Sequence, residues 1–281
     1  MTFYYAIGGG MGHLVRAYVY LQQSKIQQFK VITAVESGHL LFQQDQLLII
    51  PELAQKEMTS LSQWLKAQIQ LYAPVKMIID TFPAGILGEI QAELVEGLHL
   101  QYMVRRLKWA EYSGKLQNLL SFEKTFLLEP IESEHLEFIT NNCQQINDLA
   151  LDYRQLWQLS PVEIANSSKQ EVWMIVHSGP IDEVAQLVDF AREIADIQEL
   201  KPKFWVFTTV DFDPPKASVE VIRHFPAVHF FKAGTRLFTA GGFNSVQLHS
   251  YFEGIHHFLP FPRKYDDQFW RVRSVKSRLE N

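Results

Sequence analysis

Apolar positions along the chain follow two rhythms. Short runs rich in β-branched and aromatic residues, "TFYYAIG", "FKVITAV" and "LLII" before Pro51, have the character of buried strands. Between them run longer stretches at helical spacing. In "GHLVRAYVYLQQSKI" the residues Leu14, Ala17, Tyr18 and Leu21 share one face. "TSLSQWLKAQIQLY" predicts a helix capped by Thr59 or Ser60. "VKMIID" predicts a strand that stops at "TFP", and "ILGEIQAELVEG" a helix closed by Gly97. "LQYMVRR" and "KTFLLEP" predict two more strands. From Asn141 to Gln170 the pattern relaxes into polar sequence, and "SPVEIANSSKQ" reads as a linker. The alternation then restarts. "EVWMIVHSG", "KFWVFTTV", "VHFFKA", "RLFTA" and "HHFLPF" predict strands. "PIDEVAQLVDFAREIADI", with Pro180 near its start, "NSVQLHSYF" and "DDQFWRVRSVKSRL" predict helices.

Strands alternating with helices imply parallel sheets covered on both faces. Two such series imply an α/β protein of two Rossmann-like lobes, residues 1–160 and 161–281. The boundary is expected near 155–170, with the last helix crossing back. In such sheets ligands sit at the carboxyl ends of the strands.

Composition narrows the partners. The chain has 281 residues, 47% of them hydrophobic and 13% aromatic, enough apolar surface for a substantial core. A net charge of -5 argues against nucleic acid as the main partner, which wants a basic face. The single cysteine, Cys143, cannot build an internal disulfide framework and lacks metal-ligand spacing. No secretory leader is visible, and no run reaches the roughly 18–20 apolar residues of a membrane span. The expectation is a cytoplasmic protein, with peripheral membrane contact left open.

The first candidate for chemistry is "IGGGMGHLVRA". Gly8, Gly9, Gly10 and Gly12 separate a strand from a helix, and His13 follows. A bare turn of this kind can bring backbone N–H groups and a helix N-terminus against a phosphate. The dinucleotide pattern G-x-G-x-x-G fails, because position 13 is His13 and position 15 is Val15. Glu36 after the second strand keeps a nicotinamide site in view, weakened. The P-loop pattern also fails. The plain alternative is a tight turn with no ligand. His13, placed at a helix start, is expected to be solvent-accessible and to titrate near neutral pH.

A second turn repeats the logic. In "TAGGFNSVQLHSYFEGIHHFLPFPRKYDDQFWR", Gly241 and Gly242 end a strand, and Asn244 and Ser245 open a helix. Asn and Ser serve equally as caps and as phosphate donors. Asp267 and Gln268 open the last helix and could bond a sugar's hydroxyls.

"GGGMGHLVRA", "DTFPAGILGEI" and "GGFNSV…PFPRKYDDQFW", in that order along the chain, resemble the GT-B glycosyltransferases. The closest type is the family 28 group that includes the peptidoglycan N-acetylglucosaminyltransferase. The resemblance implies two lobes facing across a cleft. A nucleotide-sugar donor, commonly UDP-linked, would bind the C-terminal lobe, and the acceptor the N-terminal one. No metal or other cofactor is required. Gly9, Gly10, Gly12 and His13 would face the cleft, with His13 as base toward the acceptor hydroxyl or as a phosphate contact. Ser178 and Gly179, with Gly241, Gly242, Asn244 and Ser245, would flank the diphosphate. Gln268 would contact the donor sugar, with Asp267 beside it. Inversion at the anomeric carbon is the family-level expectation. The acceptor is open: a lipid-linked sugar, a polysaccharide or a small molecule. The sequence also departs from the family. Leu248 and His249 stand where a ribose-binding glutamate is usual, "GIHH" replaces a G-x-P, and "KAGTRLFTA" leaves no room for a helix before the second glycine turn. A homologue that binds nucleotide or sugar without turnover is therefore the alternative.

Three other clusters read as structural. "DFDPP", with Asp211 and Asp213, has metal-motif spacing but the composition of a turn. His256 and His257 are adjacent on a strand and face opposite ways. Arg105, Arg106, Lys108 and Trp109 read as a solvated helix start, with contact to an anionic membrane or acceptor as the alternative. "HSGP" around Ser178 lacks the elbow of a serine nucleophile.

Overall fold

The computed structural model describes residues 1–117, 120–159, 171–214, 218–232 and 235–279. The chain divides into two compact units. One comprises Met1–Asp152 with Lys264–Asp267, the other Tyr153–Arg263 with Gln268–Asn281. The expected linker, 160–170, and the expected boundary at 160/161 lie outside the described residues.

In the first unit the order is β1 (Thr2–Tyr5), α1 (Met11–Gln23), β2 (Phe29–Thr33), β3 (Leu47–Ile49), α2 (Met58–Tyr72), β4 (Lys76–Asp80), β5 (His99–Val104), α3 (Trp109–Tyr112), β6 (Phe122–Leu127), α4 (Ser133–Asn142) and β7 (Cys143–Asp148). The seven strands form one sheet in the order β3-β2-β1-β4-β5-β6-β7. Every pairing is parallel. The central strands are buried on both faces, which is why they read as continuous apolar runs. Phe3, Tyr5, Met77, Ile79 and Tyr102 pack on one face with Leu61 and Leu65 of α2.

The second unit runs β8 (Val172–Val176), α5 (Ile181–Ile197), β9 (Lys203–Phe207), β10 (Val219–Ile222), β11 (Arg236–Thr239), α6 (Phe243–His249), β12 (Ile255–Phe258) and α7 (Gln268–Leu279). Its five strands are ordered β10-β9-β8-β11-β12, all parallel. Trp173 and Phe238 stack across β8 and β11, 5.5 Å apart, at the centre of its core. Among the described residues, no helix is long and apolar enough to cross a membrane.

Several expectations are corrected. "ILGEIQAELVEG" is not a helix; it follows an irregular path with one short turn at Ala92–Leu94. Gly85 and Gly88 take φ of +82° and +90°. The buried carboxylate of Glu89 accepts the N–H groups of Ile86 (3.2 Å) and Leu87 (2.7 Å). A helix needs those amides for itself. Helix α2 begins at Met58, so Thr59 and Ser60 lie inside its first turn rather than capping it. "VHFFKA" is a single turn at Ala227–Phe230, and its Phe230 is apolar because it packs on Phe207 and Trp205. The strand of that region is β10. The polar stretch from Asn141 contains β7, an exposed edge strand that offers no apolar pattern to read, directly after α4. Helix α7 groups with the second unit, and only Lys264–Asp267 groups with the first.

Candidate functional site

In both units the first strand is central and the winding reverses beside it, between β1 and β4 and between β8 and β11. Such a switch point leaves an opening at the carboxyl edge where ligands of α/β sheets bind.

At the first switch point, Gly10 N–H closes a tight turn onto the Gly8 carbonyl (3.1 Å), and Gly10 takes φ 139° to start α1. The turn is bare for a specific reason. A Cβ on Gly8 would fall 2.2 Å from Nε2 of His13, whose ring fills that space. His13 is only 8% exposed, which overturns the expectation of a solvent-facing histidine. Its Nδ1 lies 2.7 Å from Asp80 Oδ2, at the end of neighbouring β4. Arg16, one turn along α1, grips the same carboxylate with Nε to Oδ1 (3.1 Å) and NH2 to Oδ2 (2.7 Å). Phe82 stacks on the imidazole at 5.9 Å.

Burial would raise the Asp80 pKa, but the Arg16 charge and the His13 contact override it and hold the carboxyl well below the usual carboxylate range. Asp80 is therefore ionised and can only accept. Burial first, and then the Arg16 charge, lower the His13 pKa to about 4. The ring is neutral at pH 7, which corrects the expected titration near neutrality. A neutral ring beside a carboxylate must place its proton on Nδ1. Nε2 then carries a lone pair, and among the described residues it has no hydrogen-bond partner.

The loop after β4 is wired to this cluster. Tyr5 Oη donates to Glu89 Oε1 (2.5 Å), and Tyr112 Oη donates to the Gly85 carbonyl (2.8 Å). The "D-T-F-P-A-G-I-L-G-E" residues thus have identifiable work. Asp80 and Phe82 hold His13, and the Glu89 carboxylate fills the space beside Gly85, where a Cβ would fall 2.1 Å from it. The cluster expected to be solvated is instead packed: Arg105 is 7% exposed and bonds Thr81 and Asp266, and Trp109 stacks on His135 at 4.1 Å.

At the second switch point Thr239 lies opposite Val176, so the turns at 177–179 and 240–242 lie side by side. Nε2 of His177 meets Glu183 Oε2 at 2.8 Å, and Arg263 grips both oxygens of that carboxylate. A Cβ on Gly179 would fall 2.3 Å from His177 Nε2. Burial lowers the His177 pKa against the pull of Glu183. His177 serves Glu183, and no bond links it to Ser178. Gly241 is bare so that α7 can approach: a Cβ there would fall 2.6 Å from Val272, and Arg271 donates to its carbonyl (2.9 Å). Gly242 caps α6 at an ordinary φ of -66°, with the nearest atom to a Cβ 3.9 Å away. Asn244 Oδ1 accepts from Tyr153 Oη at 2.8 Å. Gln268 is buried, and its Oε1 accepts from the Phe261 N–H (3.0 Å), so its carboxamide oxygen is committed within the protein.

The expected site residues fall into two groups. Gly9, Gly10, Gly12, His13 and Asp267 belong to the first unit. Ser178, Gly179, Gly241, Gly242, Asn244, Ser245 and Gln268 belong to the second. Sequence reading missed Arg16, Thr81 and Glu183, and it noticed Asp80 only as part of a motif. The available signals were Asp80 at a strand's carboxyl end and the three-residue spacing of His13 and Arg16. His256 and His257 do diverge, one bonded to Thr239 and the other stacked on Phe238. Asp211 is exposed and paired with Arg223. Among the described residues, no group of three or more His, Cys, Asp or Glu side chains is arranged to hold a metal.

Two parallel, doubly wound units in this order define a GT-B-type fold. The structure is similar to the UDP-N-acetylglucosamine 2-epimerase of Rickettsia bellii, with TM-score 0.58 and 8% identity over 90% of this chain and 78% of that one. It is also similar to a Streptomyces sp. SF2575 glycosyltransferase, with TM-score 0.52 and 11% identity over 98% and 85%. A third likeness is the Methanocaldococcus jannaschii UDP-GlcNAc 2-epimerase in complex with UDP-GlcNAc and UDP, with TM-score 0.55 and 9% identity over 100% and 93%. These are likenesses of fold. No protein-family model matches the sequence, and no curated protein matches it.

Proposed function

We propose that this protein is a glycosyltransferase of the family 28-like kind. It would take a sugar from a nucleotide-sugar donor, UDP-linked in the first instance, and His13 would receive the proton of the acceptor hydroxyl. The observation that carries this reading is the His13 ring: Nδ1 is tied to an ionised Asp80, and Nε2 has no hydrogen-bond partner among the described residues, at the switch point of the first sheet. A base needs a lone pair on a fixed ring and a carboxylate to stabilise the cation it becomes. Burial and Arg16 make His13 a weak base on its own. At the second switch point Ser178, Gly179, Gly242, Asn244 and Ser245 would receive the diphosphate, and no metal is assigned a role. Gly241 and Gln268 would shape that site rather than touch donor. The other proteins of this fold include UDP-sugar epimerases as well as transferases, so an epimerase is the second reading.

Thermal-shift titration with UDP, UDP-sugars and NAD(P), followed by product analysis, separates these readings. UDP-sugar should raise Tm in the wild type and not in Gly242→Asp. Asp is a good helix cap at that φ, so the variant should keep its fold while placing a negative charge where phosphate would bind. UDP release that needs an acceptor and disappears in His13→Ala supports transfer. A changed sugar on UDP without acceptor establishes the epimerase instead. Binding without either product identifies a non-catalytic homologue, and no shift with any UDP compound at millimolar concentration overturns the donor reading.

A further inference from the structure

Each sheet ends in two edge strands, and the four edges are built differently. β3 has three residues and runs within two positions into Pro51. β12 has four, followed within two positions by Pro260. β10 has four, with Glu220 inside it and Arg223 next to its end. Short length, proline and charge are the ordinary means of keeping an edge from pairing with another chain. β7 uses none of them until its last position. It has six residues, Cys-Gln-Gln-Ile-Asn-Asp, of which Gln144 through Asp148 are all exposed, and its one charge is Asp148. Among the described residues, no strand pairs with its outer side.

The direction of its backbone groups follows from its inner partner. Leu149 N–H bonds the Leu127 carbonyl of β6 at 2.9 Å. Backbone groups of successive strand residues point to opposite sides, so the odd-numbered Cys143, Gln145 and Asn147 serve β6. The even-numbered Gln144, Ile146 and Asp148 present their N–H and C=O groups to the free side. A second copy of this strand, antiparallel, can take them only in registers that set even residue against even residue. With Ile146 on a twofold axis the pairing is self-complementary. Ile146, left 38% exposed on an otherwise polar strand, gains an apolar partner in its own copy. Gln145 meets Asn147, and Gln144 meets the sole charge, Asp148, with an amide that can donate to it. Moving the axis to Gln145 sets Ile146 against Gln144. Moving it to Asn147 sets Asp148 against Ile146, and moving it to Asp148 sets carboxylate against carboxylate.

We propose that this edge is a homodimer interface. The β7 strands of two copies pair antiparallel about a twofold axis at Ile146, and the two seven-stranded sheets become one continuous sheet. Each copy carries one such edge, so the pairing closes at two copies rather than growing into a fibre. The interface lies wholly in the first unit and is independent of the transferase reading.

Sedimentation equilibrium of the full chain, from micromolar to submillimolar concentration, tests this. The wild type should dimerise. Ile146→Lys sets two ammonium groups face to face on the axis and should weaken the dimer on the order of tenfold. Gln144→Lys sets an ammonium opposite Asp148 on each side of the axis and should tighten it roughly threefold. Lysine acting only as a general edge charge would weaken both, so the opposite signs identify the register. In a Cys143→Ser background, Ile146→Cys should cross-link to its own copy under mild oxidation, because the paired Cα atoms sit about 5.5 Å apart. Gln144→Cys should not, its two copies being about 13 Å apart. A wild type that is monomeric throughout overturns the proposal, as does a dimer that Ile146→Lys leaves intact or Gln144→Lys weakens. Cross-linking absent at 146 or present at 144 overturns it equally. Should Ile146→Lys fail to fold, Ile146→Pro, which removes an outward N–H and no bond to β6, carries the same arm.

Discussion

In the first unit a histidine beneath a glycine, His13 under Gly8, is bonded to a carboxylate, Asp80, that an arginine on the same helix also grips. In the second unit His177 under Gly179 is bonded to Glu183, which Arg263 grips. Both constructions follow the first strand of a parallel sheet, at its switch point. They differ in hydration. Arg16 and Asp80 expose 1% and 0% of their side chains, Arg263 and Glu183 31% and 10%. A dry cluster can hold one protonation state and one geometry, because every alternative leaves a charge unpaired without water. A wetter one can exchange partners with a ligand. This contrast is what the proposed proton-handling role of the first unit and the proposed binding role of the second would call for.

The sharpest way to break the contrast is to remove each arginine. Arg16→Met leaves the Asp80 carboxylate buried without a cation and should destabilise the first unit by about 3–5 kcal/mol. Arg263→Met exposes a carboxylate that water can reach and should cost about 1–2 kcal/mol in the second unit. Hydrogen exchange of the β1 and β4 amides, against those of β8 and β11, reads the two losses separately. Equal losses would show that the clusters are equally desolvated.

Acid provides the next test. Unfolded, His13 takes a proton near the ordinary value of 6.5; folded, it resists until about 4. Its contribution to stability is full above pH 6.5 and is lost as pH falls from 6.5 toward 4, about 3 kcal/mol in all. Asp80, held below the carboxylate range, adds its own loss only below about pH 4. His13→Asn can still donate to Asp80 but does not titrate, so its first-unit stability should change about 3 kcal/mol less than wild type between pH 7 and pH 4. His135, also buried and lowered to about 3, remains in both proteins and cancels from the difference. His177→Asn should flatten the second unit's profile less, because Glu183 opposes the lowering of His177.

The elements were legible where one face or both are apolar. β1, β4, β8, α1 and α5 announce themselves, and their alternation alone implies two parallel sheets. The sequence hid what depends on distant partners. His13 looked solvent-facing because the Asp80 and Phe82 that enclose it are 67 and 69 positions away, and nothing local shows that β4 ends beside β1. Glu89 looked like a helix residue because Ile86 and Ile90, four positions apart, have a real helical spacing around it. Only the fold shows the carboxylate turned back on its own loop amides. The bareness of "GGG" was visible, but its cause was misread. Gly8 is small for a side chain of this protein, and only Gly10 is required by its backbone angle.

That distinction sets the finest test. Gly8→Ala puts a methyl group into the His13 ring, which Asp80 and Arg16 hold in place, so the strain cannot be relieved by a small rotation. The cost should be about 1–3 kcal/mol, with loss of the Nδ1–H signature in ring ¹⁵N spectra. Gly179→Ala meets a ring that belongs to the wetter cluster and can yield with Arg263, so it should cost about 1 kcal/mol or less. Gly9→Ala has no atom within 4 Å of the added carbon and should stay within about 0.5 kcal/mol of wild type. A Gly9→Ala protein with intact stability and intact His13 tautomer that nonetheless loses its UDP-sugar shift would place a ligand against that open backbone. A Gly9→Ala protein that keeps the shift would confine the turn's role to making room for His13.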